Sequence, residues 1–150
     1  MQVKPYSGTP GRPRAVIVDI DGTVALRGDR GPYEFQRVFE DAPNRPVINL
    51  VRMFRQQSYC ILFVSGREDT CRELTRHWLS DYVITFTGPE RLHMRRAGDG
   101  RPDYEVKDEI FEQYFRDWYD VRYVIDDRNS VVAMWRAKGL TCLQVADGPF

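Results

Sequence analysis

Five short, mainly apolar runs punctuate the chain, at residues 15–18 (AVIV), 59–64 (YCILFV), 82–86 (YVITF), 122–125 (RYVI) and 141–145 (TCLQV). A strand covered by helices on both faces gives such a run, whereas a strand with one wet face alternates. Between the runs, apolar residues recur at helical spacing. Residues 45–57 carry Val47, Leu50, Val51 and Phe54 on one face behind Pro46, which suits a helix start, and residues 68–79 align Cys71, Leu74 and Trp78. Residues 105–119 space Val106, Ile110, Tyr114 and Trp118 helically, and residues 129–139 end in Gly139, a helix stop. Strands alternating with helices predict an α/β fold: a three-layer, Rossmann-like sandwich with a central parallel sheet.

Two segments fall outside this rhythm. Residues 1–13 hold three prolines and two glycines with almost nothing apolar, which predicts a flexible arm or linker remnant, so the folded unit is expected over residues 14–150. Residues 87–104 form a long polar stretch, read as a functional loop. Its Arg91, Arg95, Arg96 and Arg101 would suit tracking a nucleic-acid backbone, with His93 or Tyr104 available to stack on a base. Trp78, Trp118 and Trp135, each with aliphatic neighbours at helical spacing, are expected in the core.

Composition narrows the class without choosing a function. At 150 residues, one core is expected. Twenty-two basic and 22 acidic residues balance, so net charge points to neither a nucleic-acid coat nor an acidic partner. Cys60, Cys71 and Cys142 are odd in number and lack metal-type spacing, which predicts reduced thiols and a cytoplasmic, soluble protein. No apolar run approaches the roughly 20 residues that span a bilayer.

The chemistry sits where the strands end. The first run meets Asp19 and Asp21, the second meets Ser65, Gly66 and Arg67, and the fourth meets Asp126, Asp127 and Arg128. Ligands of open α/β sheets bind at these carboxyl ends. Four carboxylates in one crevice repel one another unless a cation lies among them, and hard oxygen ligands suit magnesium. Asp19, Asp21, Asp126 and Asp127 are therefore the expected metal ligands. Asp19 and Asp21, two apart at a strand end, face one side. One can attack phosphorus while the other protonates the leaving oxygen and then activates water. Ser65, Arg67 and Lys107 would supply hydrogen bonds and positive charge.

The ordered set DIDGT, SGR, Lys107 and DDR resembles the four motifs of the haloacid dehalogenase (HAD) phosphatase superfamily. That resemblance implies Asp19 as nucleophile, Asp21 as general acid and base, Ser65 and Lys107 as phosphate stabilisers, and Asp126 and Asp127 at a magnesium ion. RGPYEF, SGRED, VKDEIF, VIDDRNSVVAMWR and CLQVADGPF narrow it to the 3′-phosphatase domain of bacteriophage-type polynucleotide kinase-phosphatases, over residues 14–150. There the resemblance adds Arg30, Arg67 and Asp103 as substrate-binding residues. It implies DNA or RNA 3′ ends as substrate, with opening of a 2′,3′-cyclic phosphate as an extension, and a separate or fused 5′-kinase and a ligase as partners in end repair. The kinase half's GxxxxGK[ST] signature is absent from these residues. The stretch between the first two motifs is short, so a minimal cap and an open cleft are expected. Two alternatives stay open at this level: a phosphomonoesterase for small esters, and a non-catalytic module that grips phosphorylated ends.

Overall fold

The computed structural model describes residues 2–86 and 91–150. Strand β1 (Arg14–Val18) lies at the centre of a five-stranded parallel sheet with β4 (Cys60–Glu68), β5 (Leu92–Arg95), β6 (Asp120–Asp126) and β7 (Thr141–Gln144), in the order β5-β4-β1-β6-β7. A separate small ribbon pairs β2 (Ala25–Leu26) with β3 (Ala42–Pro43). The alternating side chains of β1 are apolar on both faces. Val16 and Val18 enter the core that also holds Val47, Ile48 and Val51 of α1 (Arg45–Gln56) and Trp78 and Leu79 of α2 (Arg72–Tyr82). Ala15 and Ile17 face the opposite core, with Val106 and Ile110 of α3 (Asp103–Ile110) and Val131, Val132 and Trp135 of α4 (Asn129–Lys138). The expected three-layer sandwich is therefore present. The chain steps from β1 to one edge and then returns to the other, so the order reverses beside β1, where a crevice opens at the strand ends.

Several local expectations are corrected. Residues 82–86 do not form a strand. The N–H groups of Val83 and Ile84 both donate to Leu79 O, at 2.8 and 3.0 Å, closing α2, and the two side chains cover the core as the chain leaves the helix. The edge strand is Leu92–Arg95, inside the segment read as a polar loop; its Leu92 and Met94 turn inward while His93 and Arg95 alternate with them. A strand of only four residues, with His93 and Arg95 as its basic members, suits a sheet edge. Residues 87–90 of that expected loop lie outside the described residues.

Trp118 is exposed (59%), not core, and so is Tyr114. A π-helical turn at Phe111–Phe115, where Arg116 N–H reaches back to Phe111 O at 3.0 Å, inserts one residue and rotates the following side chains off the helix's inner face. Trp78 and Trp135 are buried as expected. Within residues 1–13, expected as a flexible arm, Tyr6 fastens the described part of the segment to the domain. Its buried ring meets Phe111 edge-on at 5.0 Å, its hydroxyl accepts the Val121 N–H at 2.9 Å, and its N–H donates to Lys138 O at 2.8 Å. A single aromatic among polar residues carries no periodicity, so the pattern did not register it.

Candidate active site

Buried β1 runs out at Asp19, whose N–H still donates to Ile125 O (3.0 Å). The carboxylate is buried, with Oδ1 accepting from Lys107 Nζ (2.7 Å) and Oδ2 from Thr23 Oγ1 (2.8 Å). Lys107 rises from α3 and also donates to Asp126 Oδ2 at 3.0 Å. Asp126 in turn accepts at Oδ1 from the Asp127 N–H (2.9 Å) and is approached at Oδ2 by Trp135 Nε1 (3.3 Å). Between Asp19 and Thr23 the chain turns at Gly22, with φ +81°. A Cβ there would overlap the Asp127 carboxylate, so glycine is needed both for the turn and for the close approach of the two motifs.

Ligand oxygens of Asp19, Asp126 and Asp127 lie within 4.8 Å of one another. Burial, then Asp126, raises the Asp19 pKa well above the carboxylate range against the pull of Lys107; burial also raises that of Asp127. Burial opposes the charge on Lys107, but Asp126 and Asp19 outweigh it and hold the ammonium charged. Ionised together, the three carboxylates against one ammonium would carry two net negative charges, which opposes their joint ionisation without a cation, and the donors are all hard oxygens. That set fits a small divalent cation.

Asp21 takes another direction. Its carboxylate receives Arg67 Nε (3.0 Å) and Nη2 (2.8 Å) as a bidentate pair, and Arg30 Nη2 at 3.2 Å. Burial alone would raise its pKa; the Arg67 hydrogen bonds and charge, with Arg30, bring it below the ordinary carboxylate value. Expected among the metal ligands, Asp21 is thus placed with two guanidiniums and outside the acidic trio. Behind it, fully buried Asp41 bridges the same two arginines. Its Oδ1 accepts Arg30 Nε at 2.9 Å, and its Oδ2 accepts Arg30 Nη2 at 3.0 Å and Arg67 Nη2 at 2.7 Å. Trp78 Nε1 fixes the Asp41 carbonyl at 2.9 Å, and Thr75 Oγ1 holds Arg67 Nη1 at 3.0 Å.

Ser65 is buried; its Oγ accepts the Arg67 N–H at 3.1 Å, which shapes the turn at the end of the apolar part of β4. Beyond it Gly66 gives room to Asp103, whose carboxylate a Cβ would overlap. Asp103 opens α3 and pairs with Arg95 and, at 2.9 Å, with Arg128 Nη1. Asp19, Asp21, Arg67, Asp103, Lys107, Asp126 and Asp127 line one open cleft of about 770 Å³, whereas Ser65 and Arg30 sit behind its wall.

Of the basic segment's arginines, Arg95 and Arg101 line the cleft, and both are also paired within the protein. Arg95 spans Gly66 O (2.8 Å) and Asp99 O (2.8 Å) as an internal brace, and Arg101 pairs with Asp99 and Glu109. His93 stacks with Tyr114 at 4.7 Å and Tyr104 packs on the core, so neither faces the cleft; Arg96 lines a neighbouring groove, and Arg91 lies beside another small pocket. Asp41 was missed because one acid in an irregular stretch carries no signal. Thr23 and Gly22 lay within the quoted DIDGT, but their roles depend on contacts across the sheet. Among the described residues no helix is long and apolar enough to cross a membrane.

Comparison with known proteins bears on the family and the fold. The model of the polynucleotide kinase PNKP phosphatase domain matches residues 13–150. A protein of Autographa californica nuclear polyhedrosis virus, assigned as a bifunctional polynucleotide kinase/RNA ligase, is 40% identical over 126 residues, 83% of this chain and 18% of its own length. A solved chain of a Pnkp1/Rnl/Hen1 complex superposes with TM-score 0.87 at 35% identity, covering 100% of this chain and 52% of that one. A second, from a Pnkp1/Rnl/Hen1 RNA repair complex, gives TM-score 0.87 at 36% identity over 99% of this chain and 47% of that one. The class C acid phosphatase from Bacillus anthracis shares the fold, with TM-score 0.63 at 16% identity over 93% of this chain and 68% of its own. This chain thus spans about half or less of its more similar relatives. The family match runs over nearly the whole chain, which belongs to the family of PNKP-type polynucleotide kinase phosphatase domains.

Proposed function

We propose that this chain is a magnesium-dependent polynucleotide 3′-phosphatase that removes the terminal phosphate from DNA or RNA ends during end repair, beside a 5′-kinase and a ligase. The observation that carries the reading is Asp19, held by Lys107 and Thr23 at the mouth of β1 with Asp126 and Asp127 beside it. Asp19, Asp126 and Asp127 would hold the magnesium ion, which when bound neutralises their charge and that of the phosphate.

Asp19 attacks phosphorus, forming a carboxylate O–P bond as the bond to the sugar O3′ breaks. Lys107 keeps the Asp19 carboxylate oriented and offsets the anionic neighbours. Asp21 gives the leaving O3′ its proton, then takes one from the water that releases phosphate and restores Asp19. Because Arg67 and Arg30 hold Asp21 as a carboxylate at rest, it can donate only after taking up a proton and loosening those contacts. The incoming phosphate offers Arg67 an alternative partner of greater charge.

The insertion after the first motif amounts to a two-stranded ribbon and a short 3₁₀ turn, which leaves the cleft open and supports a polymer end over a small ester. Phosphate release from a 3′-phosphorylated oligonucleotide, compared with sugar phosphates and nucleotides, tests the reading. Faster turnover of the oligonucleotide is expected. Preference for the small esters would favour the phosphomonoesterase alternative, and absence of any turnover would favour the end-binding module.

A further inference from the structure

One part of the cleft rim is not used by the phosphate chemistry. Segment 148–150 folds back across the last motif and is tied to the start of α4: the Asn129 N–H donates to Gly148 O at 2.7 Å, and Ser130 donates to Phe150 O from its N–H at 3.4 Å and its Oγ at 3.3 Å. No side chain caps α4, so these carbonyls take the place of a cap. A Cβ at Gly148 would overlap the backbone of Asp127 and Arg128, so the segment lies in direct contact with the motif. This fastening sets Phe150 on the cleft wall, with the residue 60% exposed. The Arg128 guanidinium covers one side of the ring at 4.6 Å and pairs with Asp103 Oδ2 at 2.9 Å.

An apolar ring gains by burial, yet this one is pinned half in water beside a strongly charged cavity. A flat, uncharged group linked to a phosphate ester would bury the open side of the ring, and a nucleobase is such a group. Stacking accepts every base, because each has a π-face. We propose that Phe150, supported by Arg128, is the stacking platform for the base of the terminal nucleoside; this rests on the 3′-phosphatase reading above. Phe150 is then a specificity residue, and Arg128 couples the base platform to Asp103 at the head of α3.

The test uses two oligonucleotides of equal length that carry a 3′-phosphate, one with a terminal base and one abasic at that residue. The parent should prefer the base-bearing substrate about tenfold in kcat/KM, mainly through KM. Phe150→Ala should reduce that preference to about threefold or less, and Phe150→Trp should restore it. Equal efficiency of the parent on both substrates, or a full preference retained in Phe150→Ala, would overturn the inference while leaving the phosphatase reading intact. Failure to release phosphate from either oligonucleotide would instead overturn the reading and the inference together.

Discussion

Replacing Asp41 by Asn isolates the buried charge that holds the two cleft arginines. Asp41, Arg30 and Arg67 have side chains 0%, 1% and 0% exposed, and the Asp41 oxygens accept three guanidinium hydrogen bonds. Asparagine can keep its oxygen on the side that serves Arg30 Nη2 and Arg67 Nη2. Its amide nitrogen then faces Arg30 Nε, donor against donor. The change removes one charge-assisted hydrogen bond, about 1.5–3 kcal/mol, and leaves an uncompensated buried cation, so the loss should reach about 3–5 kcal/mol. For a domain of this size that lowers Tm by about 6–20 °C. Scanning calorimetry with far-UV circular dichroism measures it. Glu40→Gln breaks an arginine pair in an exposed position and should shift Tm by no more than about 4 °C. The double change Asp41→Asn with Arg30→Gln should recover part of the loss, because the orphaned guanidinium is gone. An Asp41→Asn protein that melts within about 2 °C of the parent would refute the reasoning.

Magnesium at about a hundred times its Kd should stabilise the parent by about 2.7 kcal/mol, a Tm rise of about 5–10 °C, and Asp127→Asn should lose most of that rise; an unchanged rise would remove Asp127 from the site. Gly22→Ala forces a side chain into φ +81° and into the Asp127 carboxylate, so Tm should fall and magnesium affinity, read by calorimetric titration, should drop at least about tenfold. Parent-like affinity would show that this turn does not set the site. Burial, then Asp126, pushes the Cys142 thiol up to about 12. The unfolded chain ionises that thiol near about 8.5, so the folded state keeps a proton the unfolded state has lost, and stability falls as pH climbs from there towards about 12, by at most about 1.4 kcal/mol per pH unit. Cys142→Ala should decline less steeply in melting experiments above about pH 9; equal slopes would contradict the assignment.

How far the sequence carried these results varies by element. The runs that became β1, β4 and β6 were legible because strands buried on both faces leave little polar alternation, and β7 was legible from its apolar middle, Cys142 and Leu143, between exposed Thr141 and Gln144. Leu92–Arg95 was not, since two apolar residues between basic ones look like loop, and only pairing with β4 makes them an edge strand. The Trp118 error came from extending a regular period through a π-helical turn that the sequence does not announce. Asp19, Asp126 and Asp127 were legible as a cluster because acids directly after apolar runs of neighbouring parallel strands meet in one crevice. Arg30 was picked out by resemblance, but its partner Asp41 lies 11 residues away across irregular chain, and only the folded insertion brings them together. Phe150 lay within the quoted CLQVADGPF, but its place on the cleft wall is a product of tertiary contact.

The central claim is that Asp19 forms a covalent bond to the phosphate it removes. The direct measurement mixes the parent protein and magnesium with an oligonucleotide carrying a radiolabelled 3′-phosphate, quenches in acid within the first turnover, and maps the label on peptides. The account predicts hydroxylamine-sensitive label on the peptide that contains Asp19, and none on a folded Asp19→Asn protein, which should also release no phosphate. Rapid phosphate release by the parent with no label on protein, or label and release that persist in Asp19→Asn, would contradict it.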